Sequence, residues 1–233
     1  MASKQPKNIL VVAAHPDDET LGCGATVAKH VASGDNVTVL IMAQGVLARK
    51  EVKDRRDLLE HLWEDAKTAN AVLGVQRLIL KDLPDNKMNA IPLLDIVHTI
   101  EEVVLEIRPS IVYTHHHGDV NMDHQTISKA MQAICRPMAD TSIDQVYAFE
   151  IPSATNWNFR HEAPFCPTVF IEVDDTIEKK ILAMERYTGE IRPFPHPRSR
   201  QYLQSLAHVR GGQVGFKCAE AFELVFSRMK NCP

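Results

Sequence analysis

The chain has 233 residues and a mass of 26.2 kDa, enough to bury a proper core, and the expectation is a single domain over 1–233. Its 45% hydrophobic and 24% charged residues, with ten glycines and thirteen prolines, exclude collagen-like and disordered readings. Twenty-six Lys and Arg against thirty Asp and Glu leave a net charge of −4, which argues against a nucleic-acid binder or a polybasic membrane docker and favours a small-molecule partner. The five cysteines, Cys23, Cys135, Cys166, Cys218 and Cys232, are odd in number and never spaced as CxxC, so neither a disulfide framework nor a thiolate zinc site is expected. A reducing cytoplasm suits them. The apolar run at Ile9 to Ala14 is too short for a signal-peptide core and leads straight into acidic residues, so no export or membrane segment is expected there.

In chain order, Ile9 to Ala14 reads as a strand, a polar turn follows, and Leu21 to Ala32 carries apolar residues at helical spacing up to Gly34. Asn36 to Met42 is a second, β-branched strand. A loop through Gly45 and Arg49 then leads to an amphipathic helix from Asp54 to Leu73. Arg77 to Leu80 predicts a third strand, Pro84-Asp85-Asn86 a turn, Ile91 to Ile107 a helix stopped by Pro109, and Ser110 to Thr114 a fourth strand. A helix at Gln125 to Cys135, strands at Gln145 to Phe149 and Thr168 to Val173, and helices at Asp175 to Glu190 and Ser199 to Val209 complete the reading, with Gly211-Gly212 as a turn before the last segment. Alternating strands and helices predict an α/β fold, a Rossmann-like and mostly parallel sheet with helices on both faces and a less regular C-terminal part.

The loop after the first strand is Ala14-His15-Pro16-Asp17-Asp18-Glu19, one imidazole and three carboxylates at the edge where open α/β sheets bind ligands. Two carboxylates about 4 Å apart repel by roughly 4 kcal/mol at an effective dielectric of about 20, while a helix N-terminus returns only about 0.3–1 kcal/mol per acid. A bound cation offsets more. His15 and Asp18 are placed to converge on one ion, leaving Asp17 free as a base. The plain reading of the same loop is an acidic N-terminal cap. A second cluster, His115-His116-His117-Gly118-Asp119-Val120-Asn121-Met122-Asp123-His124, follows the fourth strand and faces the first loop across the switch point of a doubly wound sheet. His124 is the best third ligand, with Asp123 beside it to orient or tune a neighbouring imidazole. Two nitrogens, one oxygen and an open position form the ligand set of a catalytic zinc centre. Zinc lowers the pKa of its bound water to about 7, and a neighbouring carboxylate, here Asp17, can take the proton and pass it to a leaving amine.

These residues resemble the zinc-dependent N-deacetylases of the PIG-L, or LmbE-like, family. His15-Pro16-Asp17-Asp18-Glu19 is similar to the family's first motif and Asn121-Met122-Asp123-His124 to its second. Further similarity lies in Leu73-Gly74, Pro84-Asp85-Asn86, Phe149 to Ser153, Pro195 to Ser199 and Ala219 to Phe222. The resemblance implies a Zn2+ site at His15, Asp18 and His124, Asp17 as general base, removal of an acetyl group from an amino sugar, and a homo-oligomer. It departs at Asn121, where many members carry a histidine thought to assist the transition state. An asparagine donates a hydrogen bond but cannot titrate, so a protonating role is expected of His196 or of one of His115 to His117.

Weaker signals are Arg198 beside His196 in a proline-braced loop, Arg49 on the active edge, Glu150 after a strand, and Trp157 in a polar segment where a sugar can stack. Each has an ordinary structural reading, as surface pairs or packing. His30, His61 and His98 lie in helices and are assigned nothing. Gly22-Cys23-Gly24 lets a helix approach the sheet closely but lacks the GxGxxG spacing of a dinucleotide site. Two competing functions remain: a non-haem iron oxygenase using the same two histidines and one carboxylate, and a non-catalytic Rossmann-type binding module.

Overall fold

A computed structural model describes residues 5–43, 45, 55–136, 142–159 and 162–229. Strand β1 (Asn8–Ala13) is apolar on both faces because helices cover both sides of it. Ile9, Val11 and Ala13 pack in one core cluster, and Leu10 and Val12 in another on the opposite face. Helix α1 (Asp18–Ala32), strand β2 (Asn36–Ala43), helix α2 (Arg55–Leu73), strand β3 (Arg77–Leu83), helix α3 (Leu93–Ile107), strand β4 (Ile111–His115), helix α4 (Met122–Ile134) and strand β5 (Gln145–Phe149) follow. The chain ends in strand β6 (Val169–Glu172), helices α5 (Ile177–Met184) and α6 (Arg200–Gly212), and strand β7 (Ala219–Ser227).

The sheet order is β3-β2-β1-β4-β5-β7-β6. The first five strands in this order are parallel, whereas β7 runs antiparallel to both β5 and β6. The α/β reading of a mostly parallel sheet holds. Helices α1, α2 and α5 cover the face holding Ile9 and Val39; α3 and α4 cover the face holding Leu10 and Leu40. Because β1 pairs with β2 on one side and β4 on the other, the β1–α1 and β4–α4 loops open into the same crevice.

Several boundaries differ from the sequence reading. Helix α1 starts at Asp18 and α4 at Met122, so the acidic loop residues and His124 belong to first turns, where carboxylates suit the helix dipole. Helix α5 stops at Met184 rather than Glu190, because the chain turns there to bury Tyr187 and point its hydroxyl at Glu19. Gly211 and Gly212 close α6 instead of forming a separate turn, and the last segment is the antiparallel β7. Gly22 is needed for close approach: a Cβ there would lie 2.4 Å from the Phe149 ring. No helix among the described residues is long and apolar enough to cross a membrane.

Candidate metal centre

The β1–α1 loop delivers its residues by a tight turn in which Asp17 takes φ 101°, a left-handed conformation that costs a non-glycine residue about 1–3 kcal/mol. Buried Glu19 supports this turn by accepting the Asp17 backbone N–H at 3.2 Å, and it is itself held by Tyr187, Asn70 and Thr20. The turn swings Asp18 back so that its Oδ2 accepts the His15 backbone N–H at 2.9 Å and lies 3.2 Å from His15 Nδ1. From across the crevice, His124 in the first turn of α4 brings Nε2 to 3.2 Å from the same oxygen. Their ligand atoms all lie within 4.8 Å of one another.

The far nitrogen of each imidazole faces a carboxylate. His15 Nε2 lies 3.1 Å from both Asp123 Oδ2 and Asp85 Oδ1, and His124 Nδ1 lies 3.1 Å from Asp119 Oδ2. Asp123 is fixed by the backbone N–H groups of Asn86 (2.6 Å) and Met88 (2.9 Å), so the turn after β3 orients His15. Asp119 is fixed by the Thr155 hydroxyl and the Asn121 N–H, both at 2.8 Å. Carboxylates that orient ligating histidines in this way raise their basicity and select the nitrogen that binds. Pro84-Asp85-Asn86 and the cluster holding Asp119 both stand out in the sequence, but neither carboxylate is given a role there. Replacing Asp119 with Asn keeps its size and one accepting oxygen for Asn121 or Thr155 but removes the charge behind His124. Zinc affinity, measured by chelator competition, is expected to fall about 10- to 100-fold.

The arrangement fits a divalent cation. Separations of 3.2 Å approach the roughly 3.3–3.6 Å edge of a tetrahedron with ligand bonds of about 2.0–2.2 Å. Neither His124 nitrogen makes a hydrogen bond of good geometry, although carboxylate oxygens stand 3.1 and 3.2 Å away. Buried Asp18, Asp85, Asp119 and Asp123 surround two imidazoles, and burying so much negative charge requires a positive partner. Without a metal the imidazoles take that part. Burial opposes charge on His124, but Asp18 and Asp119 outweigh it and hold the group up to about 9. Burial likewise opposes charge on His15, yet Asp123, Asp18 and Asp85 place it well above the usual histidine range. Burial raises Asp18 too, but His124 and His15 override it and leave the carboxyl well below its ordinary value.

Asp17 is not free. Its Oδ2 accepts from Arg198 Nη1 at 2.6 Å, and the same guanidinium bonds Glu190 at 2.7 Å and Ser153 at 2.9 Å. Burial nevertheless wins over the arginine and, helped by Asp18, Glu190 and Glu19, pushes the Asp17 carboxyl well above the usual aspartate range. A cavity of about 300 Å³ opens over these groups, lined among others by His15, Asp17, Asp18, Asn121, His124 and Arg198. Asn121 caps α4 by accepting the Asp123 N–H at 2.8 Å and donates to Asn86 Oδ1 at 3.2 Å.

Other residues singled out in the sequence are not brought to the cavity. Glu150 forms a two-pronged pair with Arg210 (2.7 and 2.8 Å) and borders separate depressions. His196 accepts the Arg198 N–H on Nδ1 and meets the half-exposed Trp157 edge-on, with ring centroids 5.8 Å apart; neither side chain lines the cavity. Burial, reinforced by Arg198 and Arg192, lowers the His196 pKa. Arg49 lies outside the described residues. Of the triple histidine, His115 accepts the Ala14 N–H at 2.8 Å and stacks on His124 at 3.9 Å, so it backs the centre. His116 turns to Glu223 at 2.6 Å, and exposed His117 lies near that pair. That spacing is too short for two ligands of one ion and is an ion-paired hydrogen bond.

A family model, PIG-L (GlcNAc-PI de-N-acetylase), matches residues 10–135, more than half of the chain. The chain belongs to the PIG-L family. Relatives include the uncharacterized deacetylase YaiS of Escherichia coli K12, 28% identical over 192 residues that cover 80% of this chain and 93% of YaiS. The diacetylchitobiose deacetylase of Thermococcus kodakarensis is 24% identical over 230 residues, covering 94% of this chain and 83% of that enzyme. Among solved structures, GalB, the 4-carboxy-2-hydroxymuconate hydratase of Pseudomonas putida KT2440, superposes with a TM-score of 0.78 over 97% of this chain and 99% of its own at 23% identity. The PIG-L fold therefore carries more than one reaction.

Proposed function

We propose that this PIG-L protein is a zinc-dependent hydrolase that removes an N-acetyl group from an amino sugar, free or conjugated. The observation that carries the reading is the convergence of His15 Nδ1 and His124 Nε2 on one Asp18 oxygen, beside the buried, raised-pKa Asp17. His15, Asp18 and His124 would hold the metal, which when bound supplies Lewis-acid polarisation of a carbonyl and acidification of water. Asp17 takes the proton from the attacking water and returns it to the departing amine; burial raises its pKa above the usual aspartate range and so strengthens it as a proton acceptor. Arg198 pins one Asp17 oxygen, and the Asn121 amide offers its second N–H to the substrate. A 300 Å³ cavity suits a small ligand, so we place one sugar ring over His15, Asp18 and His124, beside Arg198.

The relatives named as deacetylases support this reading. The test incubates zinc-loaded protein with a panel of N-acetylated sugars and conjugates and quantifies acetate and free amine in equal amounts. A second reading, hydration of a carbon–carbon double bond in an acidic substrate, is favoured by the GalB likeness and by Asn121, which cannot protonate a leaving amine. Absence of acetate from every sugar, with loss of absorbance from an unsaturated acid, replaces the first reading with the second.

A further inference from the structure

Helix α1 is broken inside its second turn. Cys23 has φ −148° and ψ 22°, so the helical bond from Ala25 N–H to Leu21 C=O is interrupted. Two side chains from the C-terminal part of the chain occupy the gap. Lys180 of α5 donates through Nζ to the Leu21 carbonyl at 2.7 Å, and Glu220 of β7 accepts the Ala25 N–H at 3.2 Å and the Thr26 N–H at 2.7 Å. The two are paired with each other at 2.6 Å, and both are buried. One end of the severed ladder is thus capped by a cation and the other by an anion, each matching the local helix dipole. Gly24 leaves room for this, since a Cβ there would stand 3.3 Å from Lys180 Cγ.

The Leu21 carbonyl and the Ala25 and Thr26 N–H groups at the break all have buried charged partners, so the kink is a built feature. Its consequence lies one turn upstream. Asp17, Asp18 and Glu19 precede the break, and the segment between is pressed against Phe149 at Gly22. An unbroken α1 running on from Ala25 along its own axis would point that first turn elsewhere. We infer that Lys180 and Glu220 are positioning residues for the metal centre: their ion pair, inserted into the helix ladder, sets the direction of the turn that presents Asp17 and Asp18.

This inference rests on the zinc reading above, and the experiment separates the two. The double variant K180M/E220Q removes both buried charges together, so neither is left uncompensated. E220D keeps the charge but withdraws the carboxylate by one methylene, and K180R keeps charge and reach. Zinc affinity by chelator competition, secondary structure by circular dichroism, and kcat and KM are measured below the unfolding transition. The expected result is a folded double variant whose zinc affinity and kcat are each lower by about 10- to 100-fold with KM little changed, a smaller loss in E220D, and near wild-type values in K180R. A lowered melting temperature with unchanged zinc affinity and kcat in the folded double variant and in E220D overturns the inference and leaves the pair a purely stabilising element. Wild-type protein that takes up no zinc overturns the zinc reading, and the inference with it.

Discussion

Asp17→Asn is expected to lower kcat by about 10²- to 10⁴-fold, the contribution of a general base, while the protein still binds one equivalent of zinc. The substitution is nearly isosteric, and Arg198 keeps its bonds to Glu190 and Ser153, so the loop is not left with an unpaired cation. What disappears is a cavity-lining carboxylate beside the proposed metal ligands, lifted in pKa by burial and outside the group that converges on Asp18 Oδ2. The measurement is steady-state kinetics on the N-acetylated substrate that turns over fastest, with metal content of the same sample determined by elemental analysis. Turnover within about tenfold of wild type removes Asp17 from the role of base.

The second large effect is on the metal. His124→Ala removes one of the two proposed nitrogen ligands, so retained zinc after dialysis is expected to drop well below one equivalent, a greater loss than Asp119→Asn produces. That ordering is itself a check of the proposed site, in which His124 would touch the ion and Asp119 would act through His124. In the metal-free protein the same change strips Asp18 of the imidazole that most strongly holds its carboxyl ionised, and breaking a buried pair of this kind costs about 3–5 kcal/mol. His124→Gln, which retains a polar group, is the companion variant should the alanine protein fail to fold. Wild-type zinc content and activity in either folded variant rule out the assignment of His124 as a ligand.

Much of the molecule was legible in the sequence because its signals are local. The double-sided apolar run at Ile9 to Ala14 reads as a buried parallel strand, and the histidine and carboxylates after it fall at a strand's carboxyl edge wherever the rest of the chain goes. The same holds for β4 and the motif ending at His124. Boundaries were less legible where hydrogen bonding rather than hydrophobicity decides them. Helix α1 begins three residues before its first apolar position, and α5 ends because Tyr187 is drawn to Glu19, a contact across 168 residues of chain.

The sequence by itself thus determined the parallel part of the sheet, the edge on which chemistry sits and the two loops that meet there, but not the antiparallel β7. Only the tertiary structure decided how each side chain is used. It paired Asp17 with Arg198, set Asp119 and Asp85 behind the histidines, sent Glu150 to Arg210, and spliced Lys180 and Glu220 into α1. The reason is physical: periodicity encodes burial residue by residue, but an ion pair is chosen by which charges the folded chain brings within about 4 Å in a place water does not reach. Residues such as Asp17 and Arg198, 181 positions apart, carry no mark of that meeting in the sequence.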